Sequence, residues 1–163
     1  MIPPGLTTRA IRNMIASALC AGLVATGAAA EEPNSLAQSF PERVGSFARV
    51  AVRKNDAAAQ EGGRESATAK YMSGTSTIQW TGTQFAAPEQ AFAALEQMIK
   101  SYEGEGAGIS SVKNVEGQIR YAVIETPQRT ICCWVNKQRK DLFFVVTGQQ
   151  PEIETFMRSQ TTW

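Results

Sequence analysis

The sequence predicts an α+β domain: an antiparallel sheet of about six to seven strands with two helices packed on one face. Two observations lead to this class. Several segments alternate apolar and polar residues with the period of a strand, and most turns between them are too short for a parallel crossover. Two other segments have the helical period, and each opens with a proline. The order of three strands, a helix, four strands and a helix favours one layered domain.

Residues 1–30 have the composition of a secretory signal peptide. Arg9 and Arg12 precede an uncharged stretch, 14–30, which ends in three alanines. A basic start, an apolar middle and an A-x-A end predict cleavage after Ala30, and so a periplasmic or secreted protein. A retained membrane anchor is the alternative, although this Ala- and Gly-rich stretch is short for a bilayer core.

After cleavage the chain is expected to consist of a leader and one domain. Residues 31–43 are polar, contain two prolines and are expected to be a flexible leader. Residues 44–163 are numerous enough to bury a core without disulfides. Without Arg9 and Arg12, 14 basic residues remain against 15 acidic ones, and this balance argues against nucleic-acid binding. No later apolar run reaches membrane-spanning length, so no membrane contact is expected after cleavage.

Local signals place the individual elements. Gly74 marks a hairpin turn, the first helix begins at Pro88 and ends before Gly104, and Pro151 opens the last helix. The polar stretch 55–66 is expected to be a loop. The predicted strands span 47–53, 67–72, 76–81, 109–115, 118–125, 130–135 and 142–146, and the first helix spans 88–102.

Histidine is absent from the whole chain. Its absence excludes Ser-His and Cys-His nucleophilic machinery and imidazole ligation of metals. The Glu pairs at the helix ends have no spacing that indicates a glycosidase, and the helix dipole or solvation explains them. The sequence therefore predicts no catalytic, cofactor or metal site, and the chain is not expected to be an enzyme.

Two adjacent cysteines, Cys132 and Cys133, lie in the predicted strand 130–135. Successive side chains of a strand point to opposite faces, so Cys132 should share a face with Trp134 and Cys133 with Ile131. Buried structural thiols are the favoured interpretation. One alternative is a disulfide, because an exported chain meets an oxidising compartment. A metal or catalytic role is the other alternative.

Lys137, Arg139 and Lys140 form a basic loop. It is either a docking point for an anionic ligand, acidic partner or lipid headgroup, or a hairpin tip that its charge keeps soluble, and the second is favoured. Both faces of the segment 130–146 are apolar, and one must meet the helices. The other face needs a folded-over loop, a partner chain or a bound apolar ligand, so an unknown protein or small ligand is expected there.

Three segments follow one another as helix, strands and helix: "APEQAFAALEQMIKSY", then "GQIRYAVIE" with "DLFFVVTG", then "PEIETFMRS". In the order of their elements and the periodicity of their apolar residues, residues 44–160 resemble the small exported α+β domains of the PsbP/Mog1-like kind, including the DcrB group of bacterial envelope proteins. The resemblance implies a non-enzymatic accessory or binding protein, with no catalytic residues to carry over. The alternative is a thiol-dependent envelope protein, redox-active or disulfide-linked, that uses Cys132 and Cys133.

Overall fold

The computed structural model describes residues 35–56, 62–113 and 119–160, with the backbone alone at 112, 113 and 119. Within these ranges the chain forms two α-helices and one antiparallel sheet of eight strands. The α+β class predicted from the sequence is confirmed. The predicted signal peptide lies outside the described residues and stays a prediction.

The elements are a 3-10 turn (Leu36–Ser39), β1 (Arg43–Val44), β2 (Phe47–Asn55), β3 (Gly63–Ser73), β4 (Ser76–Phe85), α1 (Pro88–Glu103), β5 (Gly108–Lys113), β6 (Ile119–Glu125), β7 (Thr130–Val135), β8 (Leu142–Gly148) and α2 (Gln150–Arg158). The sheet consists of two four-stranded meanders that join where β4 pairs with β8, and the strand order is β1-β2-β3-β4-β8-β7-β6-β5. Helix α1 connects the two meanders in the chain. Seven of these strands match the predicted ones, and the short β1 is the additional strand.

The two helices lie on opposite faces of the sheet, so the prediction that both pack on one face is wrong. Leu95 of α1 belongs to a buried cluster with Ile131 and Cys133, whereas Phe156 of α2 belongs to a second cluster with Trp134. The physical reason lies in β7, whose six residues are all buried. A strand that is apolar on both faces needs a cover on each, and one helix supplies each cover.

The segment 35–43 is packed against the sheet, so the prediction of a flexible leader is wrong for these residues. Phe40 is 2% exposed, and its ring meets the ring of Trp80 edge-on at a centroid distance of 5.3 Å. The Tyr71 hydroxyl donates to the carbonyl oxygen of Pro41 at 2.8 Å. The stretch is mostly polar and contains few apolar residues, but two of these, Leu36 and Phe40, are buried in the core. Residues 31–34 lie outside the described ranges.

Strand β3 begins at Gly63, so the predicted loop 55–66 ends earlier than expected. Ser66 pairs with Thr83 of β4, and the pairing continues to Gly63 opposite Phe85. These residues are polar or small and carry no apolar alternation, which is why the sequence pattern missed this end of the strand. The middle of the predicted loop, 57–61, lies outside the described residues.

Candidate binding surface

The two cysteines point to opposite faces of β7, as the alternation of a strand predicts. Cys132 lies with Trp134 in the cluster beneath α2, and Cys133 lies with Ile131 in the cluster beneath α1. Both are free thiols and both are buried. The adjacent sulfurs are therefore separated by the sheet itself and do not form a bond with each other.

Each thiol has a weak hydrogen-bond partner and an apolar environment. The Tyr121 hydroxyl donates to Cys132 Sγ at 3.6 Å, and Cys133 Sγ donates to the Ala122 carbonyl oxygen at 3.7 Å. Burial raises the pKa of Cys132, and the hydrogen bond from Tyr121 opposes this only in part. Burial raises the pKa of Cys133 far above its ordinary value. Both groups are therefore protonated near neutral pH, whereas the nucleophile in thiol chemistry is the thiolate.

The basic loop is held in one conformation by its own polar groups. Asn136 Oδ1 accepts hydrogen bonds from the backbone N–H groups of Gln138 and Arg139 at 2.9 and 2.8 Å. The Arg139 guanidinium forms an ion pair with Asp141 at 3.3 Å. Lys137 and Lys140 are exposed. Arg139 is thus occupied within the loop, and the two lysines carry the charge that the loop presents to solvent.

The second apolar face of the segment 130–146, for which a folded-over loop, a partner chain or an apolar ligand was expected as the cover, is covered by the chain itself. Helix α1 covers one face of β7 and β8, and on the other face α2 packs on β4 and β8 while the 3-10 turn packs on β2, β3 and β4. A bound apolar ligand or partner is therefore not needed there. The accessible part of the sheet lies instead on β2, β3 and β4, on the same side as α1, where the pattern of side chains is polar.

We call this surface the polar face, and the strand registers define its members. Cross-strand hydrogen bonds connect its side chains in a row. Asn55 Nδ2 donates to Thr68 Oγ1 at 2.9 Å and to Ser66 Oγ at 3.2 Å. The hydroxyls of Thr68 and Thr81 lie 2.8 Å apart, and those of Ser66 and Thr83 lie 3.2 Å apart. The polar face consists of Ala48, Ala51, Arg53, Asn55, Ser66, Thr68, Lys70, Met72, Thr77, Gln79, Thr81 and Thr83. Ser66 and Thr83 are buried, so the accessible hydroxyls are those of Thr68, Thr77 and Thr81.

The polar face has a single sign of charge. Arg53 and Lys70 are exposed on it, and none of its described residues is acidic. Arg53 Nε donates to Asn55 Oδ1 at 3.3 Å, which links the guanidinium to the row of hydroxyls. The surface therefore combines two cations with hydroxyl and amide groups that donate and accept hydrogen bonds. Such a set suits a ligand that carries both anionic groups and hydroxyls.

No protein-family model, curated protein or solved structure matches this chain. Of the helices that the structure describes, neither is long and apolar enough to cross a membrane. Among the described residues, no group of three or more Cys, Asp and Glu side chains comes together as a metal site would require.

The sequence contained a signal for the polar face that the apolar pattern hid. In β4, Ile78 and Trp80 alternate with Thr77, Gln79 and Thr81. Ile78 and Trp80 form the core side of the strand, and Thr77, Gln79 and Thr81 form its other side. A threonine-rich side that recurs on adjacent strands is a sign of an exposed, hydrogen-bonded sheet face, because Thr pairs stabilise neighbouring strands.

Proposed function

We propose that this chain is an exported, non-enzymatic binding or accessory protein of the bacterial cell envelope, and that the polar face is its contact surface. Export rests on the predicted signal peptide. The observation that carries the binding proposal is the pair of cations, Arg53 and Lys70, beside a cross-strand row of hydroxyls on an accessible part of the sheet. The resemblance to DcrB-type domains points to the same class of function.

The ligand class that this surface fits best is an anionic polysaccharide. Arg53 and Lys70 supply positive charge to carboxylate or sulfate groups, and the hydroxyls of Thr68, Thr77 and Thr81 are neutral partners for sugar hydroxyls. The face is built on three paired strands, so its groups are held in fixed relative positions before a ligand arrives. Such preorganisation lowers the entropic cost of binding.

The thiol-dependent alternative has less support. Cys132 and Cys133 are buried on opposite faces of the sheet, and the pKa of each thiol is raised by burial. A redox or disulfide-forming role needs an accessible thiolate. Reaching either sulfur would require α2 or α1 to move away from β7.

The polar face is tested by replacing both of its cations. We expect Arg53→Ala with Lys70→Ala to weaken binding to polygalacturonate by about 100-fold or more, because each lost charge-assisted hydrogen bond costs about 1.5–3 kcal/mol, the two together cost about 3–6 kcal/mol, and 1.4 kcal/mol is tenfold. The measurement is the dissociation constant at near-physiological salt, where non-specific attraction between distant charges is screened.

Three controls make this experiment decisive. Lys54→Ala removes a cation from the opposite face of the same strand and should leave the affinity unchanged. Neutral dextran should bind much more weakly than polygalacturonate. The variant Lys137→Ala with Lys140→Ala tests the basic loop. If the wild type does not bind, or if the loop variant loses affinity while the Arg53 and Lys70 variant keeps it, the polar face is not the contact surface.

The reactivity of the thiols separates the proposed function from its alternative. We expect Cys132 and Cys133 of the folded protein to react with a thiol reagent at pH 8 at least about 100-fold more slowly than in denaturant, because reaction requires opening of the core. A variant with Thr77→Cys, at an exposed position of β4, should gain one fast-reacting thiol. Fast labelling of a native cysteine, or a reducible bond in the isolated protein, would favour the thiol-dependent function.

A further inference from the structure

The two edges of the sheet are protected to different degrees. On one side β1 pairs only with Phe47 and Ala48, which leaves most of the outer edge of β2 uncovered. That edge is interrupted by a bulge between Arg49 and Ala51, and it carries charged side chains. Bulges and charges at an edge strand prevent pairing with a further strand. The β2 edge is thus guarded against association.

The opposite edge, β5, lacks these devices along most of its length. Its sequence GISSVK has no charge before Lys113, and its register with β6 is regular from Gly108 to Val112. Ser110 and Ser111 are exposed. Within the described residues, no strand pairs with the outer side of β5 or takes up the backbone N–H and C=O groups on that side.

Incompletely buried apolar side chains flank β5 on both faces of the sheet. Ile109 of β5 and Ala107, which directly precedes the strand, lie at the margin of the cluster beneath α1. Tyr121 and Val123 of β6 lie at the margin of the cluster on the other face. Both clusters are therefore only partly covered at the β5 edge. A neighbouring chain that extended the sheet there would bury apolar surface on each face.

Charges around β5 differ between its two ends. Glu105 and Glu125 are exposed near Gly108, whereas Arg120 and Lys113 lie at the other end. A two-fold axis perpendicular to the sheet would pair β5 with an antiparallel copy of itself. That arrangement places the acidic end of one strand beside the basic end of its copy, so the charges are complementary.

We infer that β5 is a dimerisation edge and that its partner is a second copy of this chain, paired antiparallel in a continuous sheet. Because paired residues of an antiparallel sheet share a face, one residue of β5 must lie opposite the same residue of the second copy. The two-fold axis passes between these two residues. The centre of β5 places this residue at Ser110 or Ser111, where a hydroxyl lies opposite its own copy. The inference is independent of polysaccharide binding, because β5 lies at the other end of the strand order from β2 and β3.

The test is the oligomeric state of the purified protein by sedimentation equilibrium. We expect a concentration-dependent dimer whose dissociation constant rises at least about tenfold in Ser110→Lys or in Ser111→Lys, whichever residue faces its own copy, since like charges facing each other across strands are unfavourable. Val50→Lys, at the exposed bulge of β2, is the matched control and should leave the dimer intact. A wild type that stays monomeric at all concentrations, or a dimer that responds to neither β5 lysine variant, would overturn the inference.

A second measurement does not depend on the folding of the lysine variant. Cysteines at the axis would lie within about 4.5–5.5 Å between Cβ atoms, close to disulfide reach. Under mild oxidation, Ser110→Cys or Ser111→Cys should form a covalent dimer, whereas Val50→Cys should not. Equal cross-linking from both edges, or cross-linking from Val50→Cys alone, contradicts pairing through β5.

Discussion

Replacing Phe40 with alanine should lower the free energy of unfolding by about 3–5 kcal/mol, the usual cost of removing a buried phenylalanine ring. Phe40 is buried against Trp80, and its carbonyl oxygen accepts a hydrogen bond from the Arg49 guanidinium. Loss of the ring would leave a cavity beneath the 3-10 turn and weaken the attachment of the segment 35–43. Urea unfolding followed by tryptophan fluorescence measures the effect.

Glu42→Ala is the matched control for Phe40→Ala. Glu42 lies two residues further along the same segment, and its side chain is exposed. Because a surface substitution usually changes stability by less than about 0.5 kcal/mol, this variant should unfold like the wild type. If Phe40→Ala also unfolds like the wild type, the segment is a flexible leader after all and does not form part of the core.

Leu95→Ala in α1 should lower the free energy of unfolding by about 2–5 kcal/mol. Leu95 is 0% exposed and belongs to the cluster with Cys133, on the face opposite α2. The removed methyl groups would leave a cavity between the helix and the sheet. Glu96→Ala, at the next and exposed position of α1, should have little effect by comparison.

The placement of the helices on opposite faces adds a second readout to this experiment. Ile153→Val in α2 should cost about 0.5–1.5 kcal/mol by itself. Combined with Leu95→Ala, the two losses should add to within about 0.5 kcal/mol, because the sites share no partner across the sheet. Strong coupling between them would show that both helices pack in one core, contrary to the structure.

Elements with a clear local period were predicted well. The predicted helix 88–102 differs from α1 by one residue, and the predicted strand 130–135 coincides with β7. In both, the spacing of apolar residues is a property of consecutive residues, and the period of 3.6 or 2 appears directly in the sequence. The divergence of Cys132 and Cys133 followed from the same alternation.

Elements that form only by pairing with strands distant in the sequence were missed or misplaced. β1 has two residues and exists because it pairs with the start of β2. The start of β3 has a polar pattern and is ordered by its pairing with the end of β4. The polar face needs three strands in register, and its hydrogen bonds join residues as far apart as Ser66 and Thr83. No single window of sequence contains such a set.

The sequence by itself determined the class of the fold and the period of each main element. Its lack of histidine also excluded histidine-dependent catalysis and imidazole metal ligation. It also showed that β7 and β8 are apolar on both faces, and so that each face needs a cover. Only the tertiary structure decided what those covers are. The pairing of β4 with β8 joins two meanders and leaves α1 on one face, with α2 and Phe40 on the other. The reason is physical: a periodic pattern records that a side chain is buried, but which surface buries it depends on long-range pairing.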